Sequence, residues 1–66
     1  MSIQVNGEAR IIAEGFTVVD LLAELGLRPD RVAVELNRSI IKQPQWADTR
    51  IPAGAELEIV QFVGGG

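Results

Sequence analysis

The residue types that usually carry enzyme chemistry are mostly missing from this sequence: its 66 residues include no cysteine and no histidine. Zinc sites and iron–sulfur clusters lack their usual ligands, and acyl-transfer catalysis lacks its usual nucleophile or base. Carboxylates remain, since nine acidic side chains are present. Glu56 and Glu58 have strand spacing, while Asp20 and Glu24 have helix spacing. Both pairs suit a solvated face better than a converging acid–base pair. No glycine-rich loop precedes a helix in the way a phosphate cradle requires. A chain this short also encloses little volume for a substrate pocket. Autonomous catalysis is not expected.

One reactive group stands apart. The sequence closes on Val63-Gly64-Gly65-Gly66, which presents a carboxylate on a stalk without side chains. Three extended residues reach roughly 10 Å, and glycine lets backbone enter a slot too narrow for any other residue. A partner enzyme could thread this tail and adenylate the Gly66 carboxylate with ATP, leaving an acyl-adenylate open to a sulfur or nitrogen nucleophile. On the tail alone, a frayed end or an expression remnant is the commoner reading.

Composition narrows the remaining classes. The length fits one small domain, whose core must come from aliphatic packing because no disulfide or structural metal is on offer. Hydrophobic residues at 47% of the chain can supply it. The net charge is -3, with six basic residues scattered along the chain, a field that repels a phosphate backbone. The few aromatics (Phe16, Trp46 and Phe62) form no stacking platform for single strands. No nucleic-acid partner is expected. No signal peptide and no apolar run of membrane-spanning length is present, so a cytoplasmic protein without membrane contact is expected.

The elements that must position the tail follow from spacing. Ile3 and Val5 alternate before Asn6-Gly7, the favoured pair for a type I′ hairpin turn, with a return strand expected at 10–13. Thr17 is a candidate helix N-cap, and Asp20 adds negative charge in the first turn. Val18, Leu21, Leu22 and Leu25 form one apolar stripe, and Gly26 can end the helix with Leu27 packing back. Pro29 prevents resumption. Val32, Val34 and Leu36 alternate as a strand with one buried face, Asn37-Arg38 reads as a turn, and Ile40-Ile41 begins a short strand. From Pro44 to Pro52 an irregular connection is expected, with Trp46 capping the core near the helix end. Ala53-Gly54 signals a turn, and the last strand is expected over 56–63. One helix and several one-faced strands are most economically arranged as a helix laid across one sheet. That is an α+β roll of the ubiquitin-like β-grasp kind, with a mixed sheet of about four to five strands and the first and last strands paired at its centre. The domain is expected to span 1–63, with 64–66 as the tail.

The whole chain resembles the thiamine-biosynthesis sulfur carrier family (ThiS). The likeness runs through Asn6-Gly7, Thr17-Val18-Val19-Asp20-Leu21-Leu22, Ala33-Val34-Glu35-Leu36-Asn37, Pro44-Gln45-Trp46, Gly54-Ala55-Glu56-Leu57-Glu58-Ile59-Val60 and the glycine end. No single piece is diagnostic, but all of them in this order are specific. The resemblance implies a carrier that chemistry is done to. A ubiquitin-activating-like adenylyltransferase adenylates the Gly66 carboxylate, with Gly64 and Gly65 as the slender approach. Sulfur from a donor such as a cysteine desulfurase or rhodanese-like protein replaces AMP, and the thiocarboxylate delivers sulfur to thiazole synthase. ATP and sulfur are carried transiently at the C-terminus, and no cofactor is bound permanently. Three glycines end this chain where the family commonly shows two, so the third reaches further into the partner or belongs to the stalk.

Val60 and Phe62, with Val63, are the candidate partner-binding residues. Val60 and Phe62 face away from Leu57 and Ile59 if the last strand is regular, and would form an apolar docking patch; a bulge or sheet twist that buries them is the equal alternative. Asn37-Arg38 is a further candidate contact, and Lys42 has no assigned role. A free tail needs no self-association, so a monomer is expected. Two other readings stand beside this one. One is a molybdopterin-synthase sulfur-carrier subunit; the other is a non-reactive ubiquitin-like interaction module relying on Val60 and Phe62. An RNA-binding β-grasp domain is disfavoured by the acidic balance.

Overall fold

The computed structural model describes residues 1–62. Asn6 (φ 51°) and Gly7 (φ 82°) both adopt the left-handed backbone, the type I′ geometry whose twist matches that of the flanking strands. β1 (Ser2–Val5) and β2 (Glu8–Ile11) pair antiparallel, with Val5 opposite Glu8 and Ser2 opposite Ile11. The return strand starts at Glu8 and not at Arg10, because the short turn sets Glu8 directly against Val5.

Thr17 caps α1 (Val18–Leu25). Its hydroxyl accepts from the Asp20 amide (3.2 Å), and the Asp20 carboxylate accepts from the Thr17 amide (2.9 Å), a reciprocal capping box. At the other end Gly26 (φ 72°) donates to the Ala23 carbonyl (3.1 Å), and Leu27 donates to the Leu22 carbonyl (3.0 Å). This is the Schellman pattern. A helix of 8 residues is too short to persist alone. It is held by burial of Val18, Leu21 and Leu22. Pro29 begins a 3₁₀ turn, Pro29–Arg31, that feeds the next strand.

β3 (Val32–Leu36), the Asn37-Arg38 turn and β4 (Ser39–Ile41) form a second antiparallel hairpin. The stretch expected to be irregular contains a 3₁₀ segment, Gln43–Asp48, with Pro44 in its first turn, where the missing amide costs nothing. Trp46 is 3% exposed, lies in the core near α1, and donates its indole N–H to the Ile41 carbonyl (2.7 Å). The tryptophan thus caps the core as its pattern predicts, and its one polar atom is satisfied.

β5 (Glu56–Gln61) is shorter than the predicted 56–63. Its last rung is Phe62 donating to the Arg31 carbonyl (2.7 Å), and Arg31 belongs to the turn before β3, so regular pairing stops there. Val63 lies outside the described residues. The sheet order is β2-β1-β5-β3-β4, with β1 and β5 parallel and the other pairs antiparallel. The expected central pairing of first and last strands is the one observed. Ile3, Leu57, Ile59, Val32 and Val34 face α1 and form the core with Ile12, Trp46, Ile51 and Ala55. No described helix is long and apolar enough to cross a membrane.

Candidate functional site

The site is built around the central strand, because β5 is the element that leads into the glycine tail. Both of its edges are gripped by turn asparagines. At its start the Asn37 amide donates to the Glu56 carbonyl (2.8 Å), and the Glu56 amide donates to Asn37 Oδ1 (2.9 Å). Towards its end the Ile59 amide donates to Asn6 Oδ1 (2.8 Å), and Asn6 Nδ2 donates to the Ile59 carbonyl (3.1 Å). Each carboxamide supplies a rung where the neighbouring strand has already turned away. Sequence reading assigned both residues to turns, which is correct for Asn6 (φ 51°) and Asn37 (φ 49°). Their side-chain bonds to β5 were missed. The available signal was asparagine at the first turn position of both hairpins, the one residue that tolerates this backbone and offers both a donor and an acceptor.

The face of the sheet away from α1 changes character along β5. Glu56, Glu58 and Val60 alternate outward while Leu57 and Ile59 are buried. Glu58 lies opposite Glu35, and Glu35 lies opposite Ile40. Val60 lies opposite Ala33. The end nearest the tail is therefore apolar, with Val60 57% and Phe62 55% exposed. The far end is acidic, with Glu35, Glu56 and Glu58 around a shallow hollow that Arg38 also lines. Exposed aliphatic and aromatic side chains at the root of a tail are surface that a partner can cover. The alternative in which twist or a bulge buries Val60 and Phe62 is not the one observed.

On the helix side, a cavity of about 300 Å³ opens between the β1–β2 hairpin, the C-terminal end of α1 and the end of β5. Leu25, Leu27, Ile59 and Gln61 supply part of its wall, and Arg10, which pairs with Glu24 at 4.0 Å, lies at its rim. No cluster of metal-ligating side chains occurs among the described residues. Of the predicted site residues, Val60 and Phe62 are brought together on one exposed face. Val63, Gly64, Gly65 and Gly66 lie outside the described residues, as does the predicted boundary between domain and tail.

A family model for ThiS matches residues 3–66. The chain belongs to the ThiS family. The ThiS sulfur carrier protein of Escherichia coli is 33% identical over 66 residues, and the alignment covers all of both chains. A crystal structure of the thiamine biosynthesis protein ThiS from Geobacter metallireducens superposes with a TM-score of 0.86 at 32% identity, again over the full length of both. The β-grasp architecture is thus that of a solved ThiS protein. A thiazole synthase from Paramagnetospirillum magneticum is 42% identical to the whole chain, and another from Magnetococcus marinus is 35% identical. The chain spans about a fifth of the length of these two relatives, 20% in each case. A ThiS-like segment is therefore part of those longer proteins.

Proposed function

We propose that this chain is the sulfur carrier of thiamine thiazole synthesis, acting through the carboxylate of Gly66. The observation that carries the reading is the course of β5. The strand that runs into Val63-Gly64-Gly65-Gly66 is the central, doubly gripped strand of a ThiS fold, with an exposed apolar face at the tail's root. Such an arrangement suits a rigid handle on a slender reactive end, and the missing cysteine and histidine leave no competing catalytic machinery.

In this reading a ubiquitin-activating-like adenylyltransferase binds the body and receives the tail. A Gly66 carboxylate oxygen attacks the α-phosphorus of ATP, and pyrophosphate leaves. A sulfur nucleophile generated from a persulfide donor, such as a cysteine desulfurase or rhodanese-like protein, then attacks the acyl carbon. AMP leaves, and a thiocarboxylate results once any sulfur–sulfur bond has been reduced by a thiol. Thiazole synthase is the acceptor, a choice supported by the ThiS-like segments of the thiazole synthase relatives. ATP is the activating enzyme's substrate and is not held by this chain. Gly64 and Gly65 provide the narrow approach, while Val60, Phe62 and Val63 dock the body. The protein works as a monomer in the cytoplasm.

A second reading has one observation in its favour. The exposure of Val60 and Phe62 also fits a non-reactive interaction module. Intact-protein mass spectrometry separates the two. After incubation with the activating enzyme, ATP and a sulfur donor, the carrier gains the mass of one oxygen-for-sulfur exchange, mapped to Gly66. A chain lacking Gly65 and Gly66 gains nothing while keeping its melting temperature. An unmodified full-length chain, under conditions that convert the E. coli carrier, would favour the interaction module.

A further inference from the structure

The two edges of β5 are paired to different lengths. On the β3 side the ladder runs from Glu56, opposite Asn37, to Phe62, whose amide donates to the Arg31 carbonyl. On the β1 side backbone pairing stops early. Val5 lies opposite Leu57, the Asn6 amide donates to the Leu57 carbonyl (2.9 Å), and the chain then turns away at Gly7. Beyond that point Ile59 and Gln61 border the cavity rather than a strand. The Asn6 carboxamide is the one group among the described residues that continues the pairing on this edge. It exchanges both bonds with Ile59, at 2.8 and 3.1 Å, as a peptide group of a longer β1 would.

We infer that Asn6 is a positioning residue for the C-terminal tail. By closing the Ile59 rung it fixes the line along which β5 leaves the sheet, and so the place to which Gly66 is delivered in the activating enzyme. The inference rests on the carrier reading. Turn formation does not account for the carboxamide by itself: glycine and aspartate also accept the left-handed backbone of this position, yet neither can both donate to and accept from Ile59. The lever arm explains why the rung matters. From Phe62 to Gly66 the chain reaches about 13 Å when extended, and a strand that frays back to Ile59 adds roughly another 10 Å of loose reach. A strand end frayed in this way carries Val60 and Phe62 with it, so docking face and carboxylate are placed together only in the fraction with an ordered strand end, and only that fraction is competent to bind.

The test follows adenylation of the carrier, by pyrophosphate release, with carrier concentration varied and the activating enzyme from the same organism. Asn6→Gly keeps the turn conformation and removes both Ile59 bonds. Thr17→Ala is the control: it removes one half of the α1 capping box and leaves every hydrogen bond of β5 in place. Asn6→Gly is expected to raise KM about 5–20-fold with kcat changed less than about twofold, and Thr17→Ala to leave KM within about twofold although both lower the melting temperature. Asn6→Asp, which retains the acceptor alone, should fall between wild type and Asn6→Gly, and it carries the test if the glycine variant does not fold. Amide exchange at Ile59 should quicken in Asn6→Gly beyond any change in Thr17→Ala. An unchanged KM in both Asn6 variants, or equal increases in Asn6→Gly and Thr17→Ala, overturns the positioning role while leaving the carrier intact. A wild-type chain that is never adenylated overturns the carrier reading itself.

Discussion

Replacing Phe62 with alanine should weaken partner binding at least as much as the fold, and the fold far less than truncating a core residue of the same strand. The residue is 55% exposed, whereas Leu57 on the same strand is 1% exposed. A phenylalanine buries roughly 200 Å² when fully covered, so about half of that surface is still available to a partner. At about 25 cal/mol per Å², covering it contributes roughly 2–3 kcal/mol at most. Imperfect packing brings this to about 1–3 kcal/mol, a loss of roughly 5- to 150-fold in affinity on truncation. The part already buried in the fold is worth about 1–2 kcal/mol, a fall of roughly 4–15 °C in melting temperature for a domain of this size. Leu57→Ala, by contrast, empties a core position and should cost about 2–5 kcal/mol, comparable to the whole stability of so small a domain. The assay pairs thermal melts by circular dichroism with calorimetric titration of each variant into the activating enzyme. The reasoning is refuted if Phe62→Ala melts as low as Leu57→Ala while binding with wild-type affinity. That outcome would mean Phe62 supports the sheet and the apolar end of the outer face is not where partners dock.

Two other substitutions probe the Trp46 anchor and the cap of α1. Trp46→Phe removes the indole donor to the Ile41 carbonyl and should cost about 1–3 kcal/mol; urea unfolding measures it, and a midpoint equal to wild type would mean that water replaces the bond without loss. Thr17→Ala removes one half of the capping box and should cost about 1 kcal/mol, with Thr17→Ser restoring most of it in the same unfolding assay.

Much of this architecture is legible in the order of residues because the relevant interactions are local. The Asn6-Gly7 turn, the Thr17–Asp20 cap and the Gly26–Leu27 stop each act within a few positions, and each predicted feature is present in the fold. Alternation placed Leu57 and Ile59 inward and Val60 outward. It could not say whether twist would later cover Val60 and Phe62, since that depends on what lies across the sheet. The 3₁₀ segment at Gln43–Asp48 escaped notice for a different reason. It is too short for a helical period to repeat, and its order comes from Trp46 reaching into the core. The asparagine rungs join residues far apart in sequence, Asn6 to Ile59 and Asn37 to Glu56. Propensity and periodicity describe neighbours along the chain and are blind to such pairs. The role proposed for Gly66 rests on chemistry, a bare carboxylate on glycines, and on family likeness, and that residue lies outside the described ones.

The placing of β5 between β1 and β3 also governs how the protein comes into being. Until that strand arrives, the chain can form two separate hairpins, β1–β2 and β3–β4, with no backbone ladder between them. Each then exposes an open edge, the feature that invites mispairing. Joining them requires contacts between distant parts of the chain, and closing such long loops slows folding. On the ribosome β5 is the last of the five strands to emerge, so completion of the sheet waits for it. A chain interrupted before Glu56 lacks the strand that joins its two hairpins, and both inner edges stay open. The sheet is therefore whole only in molecules whose synthesis has reached the strand on which the tail is mounted.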